Sequence, residues 1–447
     1  MPAMVRSNVR WQMATLVAAS VLVNYYDRNV IALAEKPIQD AFHLSLGTVG
    51  IVLSAFSWSY LVVQIPVGML LDRVGIKWLN RVGTLVWAIA SVLTAVAGGL
   101  GLVFVGRLLL GVAESPVYPG ASKATSQWFP RHERGKPTSL FDSAMRVANV
   151  TGAPLLALIM ATWGWRSGFY FLGLISLVFA VIWWACYRDP RAHPRVTTEE
   201  LAYIEKDQDA TSPTRVNYGL ALGYLLRQRK IWAMTIGFSC YAYSGFLLTN
   251  WLPGYLETAM GLSVLKAGMY TVIPNAAGAV AEILLAGFLL DRAVRNRSRS
   301  GVDPRKLLIV VGFVASMALG LTGTTHSAGT AIVYIAFGNA GLALIGAVGW
   351  SLPGLLAPPE LVGAAGGIMN TLNAATGIAA TTITGFVAQL TGSFVVPFLV
   401  AVGVSAVGIV MYTAVIGEVR QLARPSWLQS GDTVDDSRSA AKALNHE

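Results

Sequence analysis

Charge is what this sequence has least of: Asp, Glu, Lys and Arg make up 13% of its 447 residues, about half the share a soluble domain carries. Beside 54% hydrophobic residues, that scarcity excludes an ordinary water-exposed surface. Cysteine is nearly absent. Cys186 and Cys240 lie in or beside apolar runs, with no second pair and no ligand spacing. This excludes a disulfide scaffold or a zinc cluster, and both read as packing residues. The five histidines, His43, His132, His193, His326 and His446, fall in loops, ends or tails, which excludes a histidine proton relay. There is no P-loop, nucleophile elbow or metal cluster, so no enzyme, cofactor, metal or ATP-driven step is expected. The net charge of +10 does not indicate nucleic acid, because Lys and Arg sit in short clusters between long apolar runs.

Those runs are what the sequence has in abundance. A helix needs about 20 apolar residues to cross the hydrocarbon of a bilayer, and about twelve such stretches are present. In the first part of the chain they cover Trp11–Leu33, Gly47–Leu71, Trp78–Ala97, Leu102–Ser122, Thr138–Thr162 and Ser167–Tyr187. In the second they cover Ile231–Leu256, Ala267–Leu290, Leu307–Thr324, Gly329–Leu356, Val362–Gln389 and Phe394–Ile416. The fold class expected is an all-α membrane protein, with twelve transmembrane helices in two pseudo-symmetric six-helix bundles. The first run is too long, and with Asp27 and Arg28 too polar at its end, to be a cleaved signal peptide.

Of the 33 Lys and Arg residues, 27 fall on the side of the N-terminus, the even-to-odd loops and the C-terminal tail. Three (Lys36, Arg166, Lys266) fall on the other side, and Arg28, Arg107 and Arg146 lie inside helices. This bias places both termini of a multi-pass membrane protein in the cytoplasm. Residues 188–230, which contain Pro190, Pro194 and Pro213, read as a linker between halves at 1–187 and 231–416. Within it Thr197 and Glu200 have capping-box spacing. Residues 417–447 read as a polar, mobile tail.

The second apolar run ends with Gly68, Asp72, Arg73, Gly75 and Lys77 in the order G-x-x-x-D-R-x-G-x-K. The eighth ends with Gly287, Asp291 and Arg292, the same G-x-x-x-D-R pattern 219 residues later. Repeated halves of this kind are found in secondary transporters. The first stretch resembles the loop signature of the major facilitator superfamily, over essentially the whole chain. Within it the sequence resembles the anion:cation symporter family. The match is carried by Asn24-Tyr25-Tyr26-Asp27-Arg28, by Ser54 to Tyr60 with Gln64-Ile65-Pro66, and by Gly106-Arg107 with Glu114-Ser115-Pro116. Trp251 to Tyr255, Trp350-Ser351 and Gly366 to Asn370 add to it. The resemblance implies proton-coupled import of a small organic anion, such as a sugar acid, by a protein embedded in lipid; a monomer is the default expectation. It also implies that the glycine-rich loop motif takes part in gating. The plainer reading of Asp72 and Arg73, as charges that only set topology, stays open.

Ionisable groups at membrane depth are costly and point to function. Arg107 and Glu114 lie seven residues apart, about two turns, and so share a face. Tyr25 and Arg28, Tyr60 and Gln64, and Asn370 and Asn373 pair in the same way along their helices. One polar cavity near the midplane is expected from these residues, with Trp350 a further binding residue. Two carboxylates beside two arginines neutralise one another until an anion competes for an arginine. A carboxylate left alone in a low-dielectric cavity then takes up a proton. The resemblance assigns the substrate to Arg28 and the protons to Asp27 and Glu114, with Arg107 as partner of one of them. Arg146 departs from the family's uncharged polar residue: it either binds a second carboxylate or pairs with Asp142. Glu282 reads as a gate partner or a snorkelling end residue. A purely structural salt-bridge network, an efflux antiporter and a transporter-like sensor are the competing readings.

Overall fold

The computed structural model describes residues 8–130, 133–205, 218–282 and 303–429. Among them the regular elements are helices and there is no strand. Backbone groups in hydrocarbon have no water to bond, so apolar runs of this length satisfy themselves as helices.

The first bundle comprises α1 (Val9–Leu33), the short α2 (Glu35–Phe42), α3 (Leu46–Ala95), α4 (Leu100–Glu114), α5 (Val117–Trp128), α6 (Gly135–Trp163) and α7 (Trp165–Cys186). α3 holds two predicted spans. They meet at Gly75, whose φ of 79° and ψ of 161° interrupt the helix. Only glycine takes that conformation without strain, so Gly75 makes the reversal between them. α4 and α5 form one span broken at Ser115-Pro116, since proline removes a backbone donor. Glu114 is the last residue before the break.

Two short helices, α8 (Thr198–Glu205) and α9 (Tyr218–Leu226), lead to the second bundle. It comprises α10 (Arg229–Thr258), α11 (Val264–Tyr270), α12 (Val272–Val280), α13 (Pro304–Ser316), α14 (Ala328–Gly349), α15 (Leu352–Leu356), α16 (Val362–Thr391) and α17 (Val395–Val410). Side-chain caps set several starts: Ser45 accepts from Thr48 N at 3.2 Å, Ser263 from Lys266 N at 3.4 Å, and Asp303 from Arg305 N at 3.0 Å. Eight helices or helix pairs among the described residues are long and apolar enough by themselves to cross a membrane. The first, third and eleventh predicted spans are helical too, and the eighth is described as far as Glu282. Twelve helices in two bundles is the architecture.

The bundles meet where α3 packs on α16, α6 on α11 and α12, and α1 on α10. These seams are tight at one side only. Near the start of α3, Gly47 N donates to Gln389 Oε1 at 2.9 Å, and Thr382 Oγ1 donates to Ser54 Oγ at 3.1 Å. A Cβ on Gly50 would lie 3.0 Å from Thr381 O, and one on Gly385 2.5 Å from Leu46 O. Toward the other side, Gly68 on α3 and Gly363, Gly366 and Gly367 on α16 have no atom of the described residues within 4 Å of such a Cβ. The molecule is therefore sealed on the side of Leu33 and Leu46 and parted on the side where α1 begins.

Two segments are more firmly held than the sequence suggests. Glu200 N does bond Thr197 Oγ1, at 3.2 Å, but the Glu200 carboxylate accepts from Arg10 N at 3.3 Å instead of capping its own helix. The tail, read as mobile from Gly417, is fastened as far as Leu428, with Trp427 and Leu428 packed on the core. Leu422 N donates to Leu356 O, Tyr224 donates to Ala423 O at 2.6 Å, and Arg424 pairs with Glu360.

Candidate functional site

α1 carries charge into the membrane on two faces. Arg28 and Tyr25 share one, as their i,i+3 spacing predicts, with the guanidinium 4.9 Å from the Tyr25 ring centroid. The rings of Phe56 and Tyr60 on α3 lie 5.0 and 5.4 Å from the same guanidinium. Arg28 Nε lies 3.6 Å from Glu114 Oε2. Both Glu114 oxygens are buried without a hydrogen-bond partner, so Arg28 is its counter-ion. The Arg28 side chain keeps 24% of its exposure, while that of Glu114 has none.

Asp27 faces the other way. It accepts from Ser91 Oγ at 3.0 Å and from Trp87 Nε1, both on the second part of α3 and both buried. Arg107 is 3% exposed, lies 5.4 Å from the Phe56 ring, and has Nε and Nη1 without hydrogen-bond partners. It feels Glu114 and Asp27 electrostatically but forms a direct ion pair with neither, contrary to the sequence expectation. Asn24, one turn before Arg28, is fully buried, with neither side-chain polar atom bonded.

The remaining residues predicted from sequence are less concentrated. Asn370 and Asn373 are half-buried on α16. Gln64 Oε1 is buried and unbonded on α3. Trp350 is 55% exposed, with its ring edge-on to Phe238 at 5.0 Å. Arg73 is exposed and Lys77 lies near the Trp78 ring. The Asp72 side chain, Gly287, Asp291 and Arg292 lie outside the described residues.

Three features were not legible in the sequence. Arg146 pairs with Glu282 through both terminal guanidinium nitrogens, Nη1 and Nη2, rather than with Asp142. This also corrects the end-residue reading of Glu282, which reaches across to the first bundle. Tyr118 packs edge-on to Tyr25 at 6.2 Å and donates to Met145 Sδ at 3.2 Å. A cavity between the bundles is lined by four asparagines, Asn29, Asn149, Asn275 and Asn339, with Thr249 and Thr271. Three of them spend an amide hydrogen on a backbone carbonyl: Asn29 on Ala148, Asn275 on Asn149 and Asn339 on Pro274. Asparagine in an apolar helix is a signal that could have found them.

Paired charges held between two membrane-spanning bundles, sealed on one side and parted on the other, define a membrane transporter. The chain belongs to the Major Facilitator Superfamily, which it matches over residues 17–381. It is 36% identical over 418 residues to the "Uncharacterized transporter YybO" of Bacillus subtilis, covering 93% of this chain and 96% of that one. It is 31% identical over 434 residues to the "Probable galactarate/D-glucarate transporter GudP" of Escherichia coli, covering 93% and 95%. Among solved structures it resembles an inward-facing, occupied bacterial homolog of the human lysosomal transporter Spinster. The TM-score there is 0.73 at 17% identity, over 91% of this chain and 96% of that one.

Proposed function

We propose that this protein is a proton-coupled importer of small organic anions, with a hydroxylated acid such as a sugar acid as the substrate class. The observation that carries the reading is the Arg28–Glu114 pair. One partner is open to the gap, and the other is buried with no further hydrogen bond. An incoming carboxylate takes the Arg28 fork, which suits it in shape and charge. Glu114 then loses its counter-ion in a dry pocket and is neutralised by a proton. Asp27, held by Trp87 and Ser91, is the second proton-carrying group, and Arg107 holds the balance of charge behind Phe56. Tyr25, Tyr60, Gln64, Asn370 and Asn373 complete the binding surface, and the asparagine cavity offers amide groups to hydroxyls. Relatives named as galactarate/D-glucarate transporters favour the same substrate class.

The halves, 1–187 and 231–416, rock about this site with 188–230 between them, and the glycine-rich motif from Gly68 to Lys77 closes the parted side. Both termini face the cytoplasm of the bacterial inner membrane, so the present state opens inward. The protein acts as a monomer.

The test is uptake of a labelled sugar acid into proteoliposomes under an imposed proton gradient. The wild type accumulates the acid when the outside is acidic; Glu114→Gln binds it but does not concentrate it. Uphill uptake by Glu114→Gln would remove the role given to Glu114. Accumulation driven only by an inside-acid gradient would favour efflux by antiport instead.

A further inference from the structure

We propose that Arg146 is a second anion subsite, which Glu282 occupies in this state as a stand-in for the distal acid group of a dianionic substrate. The inference rests on the organic-anion reading above and narrows it to acids with two anionic groups.

Both Nη atoms of Arg146 donate to the carboxylate of Glu282, one to each oxygen. That fork-to-fork geometry is the one in which arginine holds a ligand carboxylate. The side chains are not sealed: Arg146 is 26% and Glu282 27% exposed, much as Arg28 is 24% exposed. A partly exposed ion pair adds little net stability, so exchanging Glu282 for another carboxylate costs little.

The two arginines are joined by a chain of side-chain contacts. Arg28 sits over Tyr25, and Tyr25 packs on Tyr118. Tyr118 bonds Met145, the residue beside Arg146. Tyr118 feels the charge of Arg28, and Arg146 in turn feels Tyr118. On the opposite bundle Tyr241 feels Tyr25, Arg146 and Glu282 together. A short chain with an acid at each end is what two arginine forks separated by two tyrosine rings accommodate. Asp142, one turn before Arg146, adds to the negative field there, so Arg146 is not a surplus cation waiting for any anion. It is a balanced one whose partner is exchangeable.

The location gives the exchange a consequence. Arg146 belongs to α6 of the first bundle, and Glu282 follows α12 of the second, so their pairing ties the bundles. A dianion that takes Arg146 releases Glu282 and unties them. A monoanion bound only at Arg28 leaves the tie in place.

The test compares D-glucarate, a diacid, with D-gluconate, its monoacid counterpart, in proteoliposomes. Arg146→Gln is expected to raise KM for the diacid by about tenfold or more, the loss of one charged bidentate contact, and to leave the monoacid nearly unchanged. Glu282→Gln, which removes the competitor, is expected to lower KM for the diacid alone. It serves as the second arm if Arg146→Gln folds poorly. Equal effects on both acids, or none on either, would overturn the inference while leaving organic-anion transport standing. Wild-type uptake of neither acid would overturn both.

Discussion

Adding one methyl group at Gly254 tests how the bundles seal. Glu35 opens α2, just past the first span, and its carboxyl is buried against Gly254 of the opposite bundle. A Cβ on Gly254 would lie 2.6 Å from Glu35 Oε1 and closer still to the rest of the carboxyl. Ordinary contacts are about 3.5 Å or more, so the carboxyl must retreat by about 1 Å or more. Overfilling a packed site costs about 1–3 kcal/mol. Because the two residues belong to different bundles, the cost falls on the sealed state. Taking ~2 kcal/mol, Gly254→Ala shifts the balance away from that state about 30-fold. The assay is alkylation of a cysteine placed at Ser54, which bonds Thr382 in the seam, in a background lacking Cys186 and Cys240. A bulky maleimide added from the sealed side is expected to label Gly254→Ala faster by about that factor. Trimming the partner, in the Glu35→Ala, Gly254→Ala double variant, is expected to restore slow labelling. Unchanged labelling in the single variant, or no rescue in the double, would refute the packing argument.

The same glutamate gives a pH prediction. Burial, reinforced by the nearby Glu257 carboxylate and opposed by Lys36, holds Glu35 well above the usual carboxylate range. Glu257 in turn feels Lys36 and Asp40. A raised carboxyl stabilises the sealed state fully below its ordinary pKa of 4.5 and ceases to do so as pH climbs through the raised value. Labelling at position 54, divided by the rate of a free thiol at the same pH because the thiolate is the reacting form, is thus expected to quicken with rising pH, and Glu35→Gln to flatten that ratio; a wild-type ratio that does not change with pH counts against it. Gly75→Ala forces a side chain into a backbone conformation costing about 1–3 kcal/mol, visible as a lower melting temperature in detergent. Gly68→Ala has free space in this state and removes a flexible residue from a helix. It is expected to keep or raise the melting temperature while slowing transport, because the space must close in the other state; full-speed transport would show that it need not.

Hydropathy and charge bias made the helices legible, because spanning a bilayer imposes a length and a composition on each segment. The charges on the first and fourth spans were legible for the complementary reason: lipid tolerates them only when something meets them. What met them was not. Trp87 and Ser91 read as ordinary membrane residues, and nothing 60 residues from Asp27 marks them as its donors. Arg146 and Glu282 were each visible as anomalies, but their pairing depends on the arrangement of two bundles that only the fold supplies. Nothing in the sequence singles out Glu35, since burial of a carboxyl beneath a glycine leaves no trace in spacing.

The glycines along the sealed seam carry a further implication. At Gly50 and Gly385 the bundles touch through main chain, with Thr381 O and Leu46 O of the facing helices against the glycine carbons and the buried Trp251 ring beside them. Such a joint contains few rotamers to reset. It can come apart and close again in the same register on every cycle, much as a machined hinge returns to its stop, and the speed of reclosure is then governed by the motion of whole helices rather than by side chains finding their places.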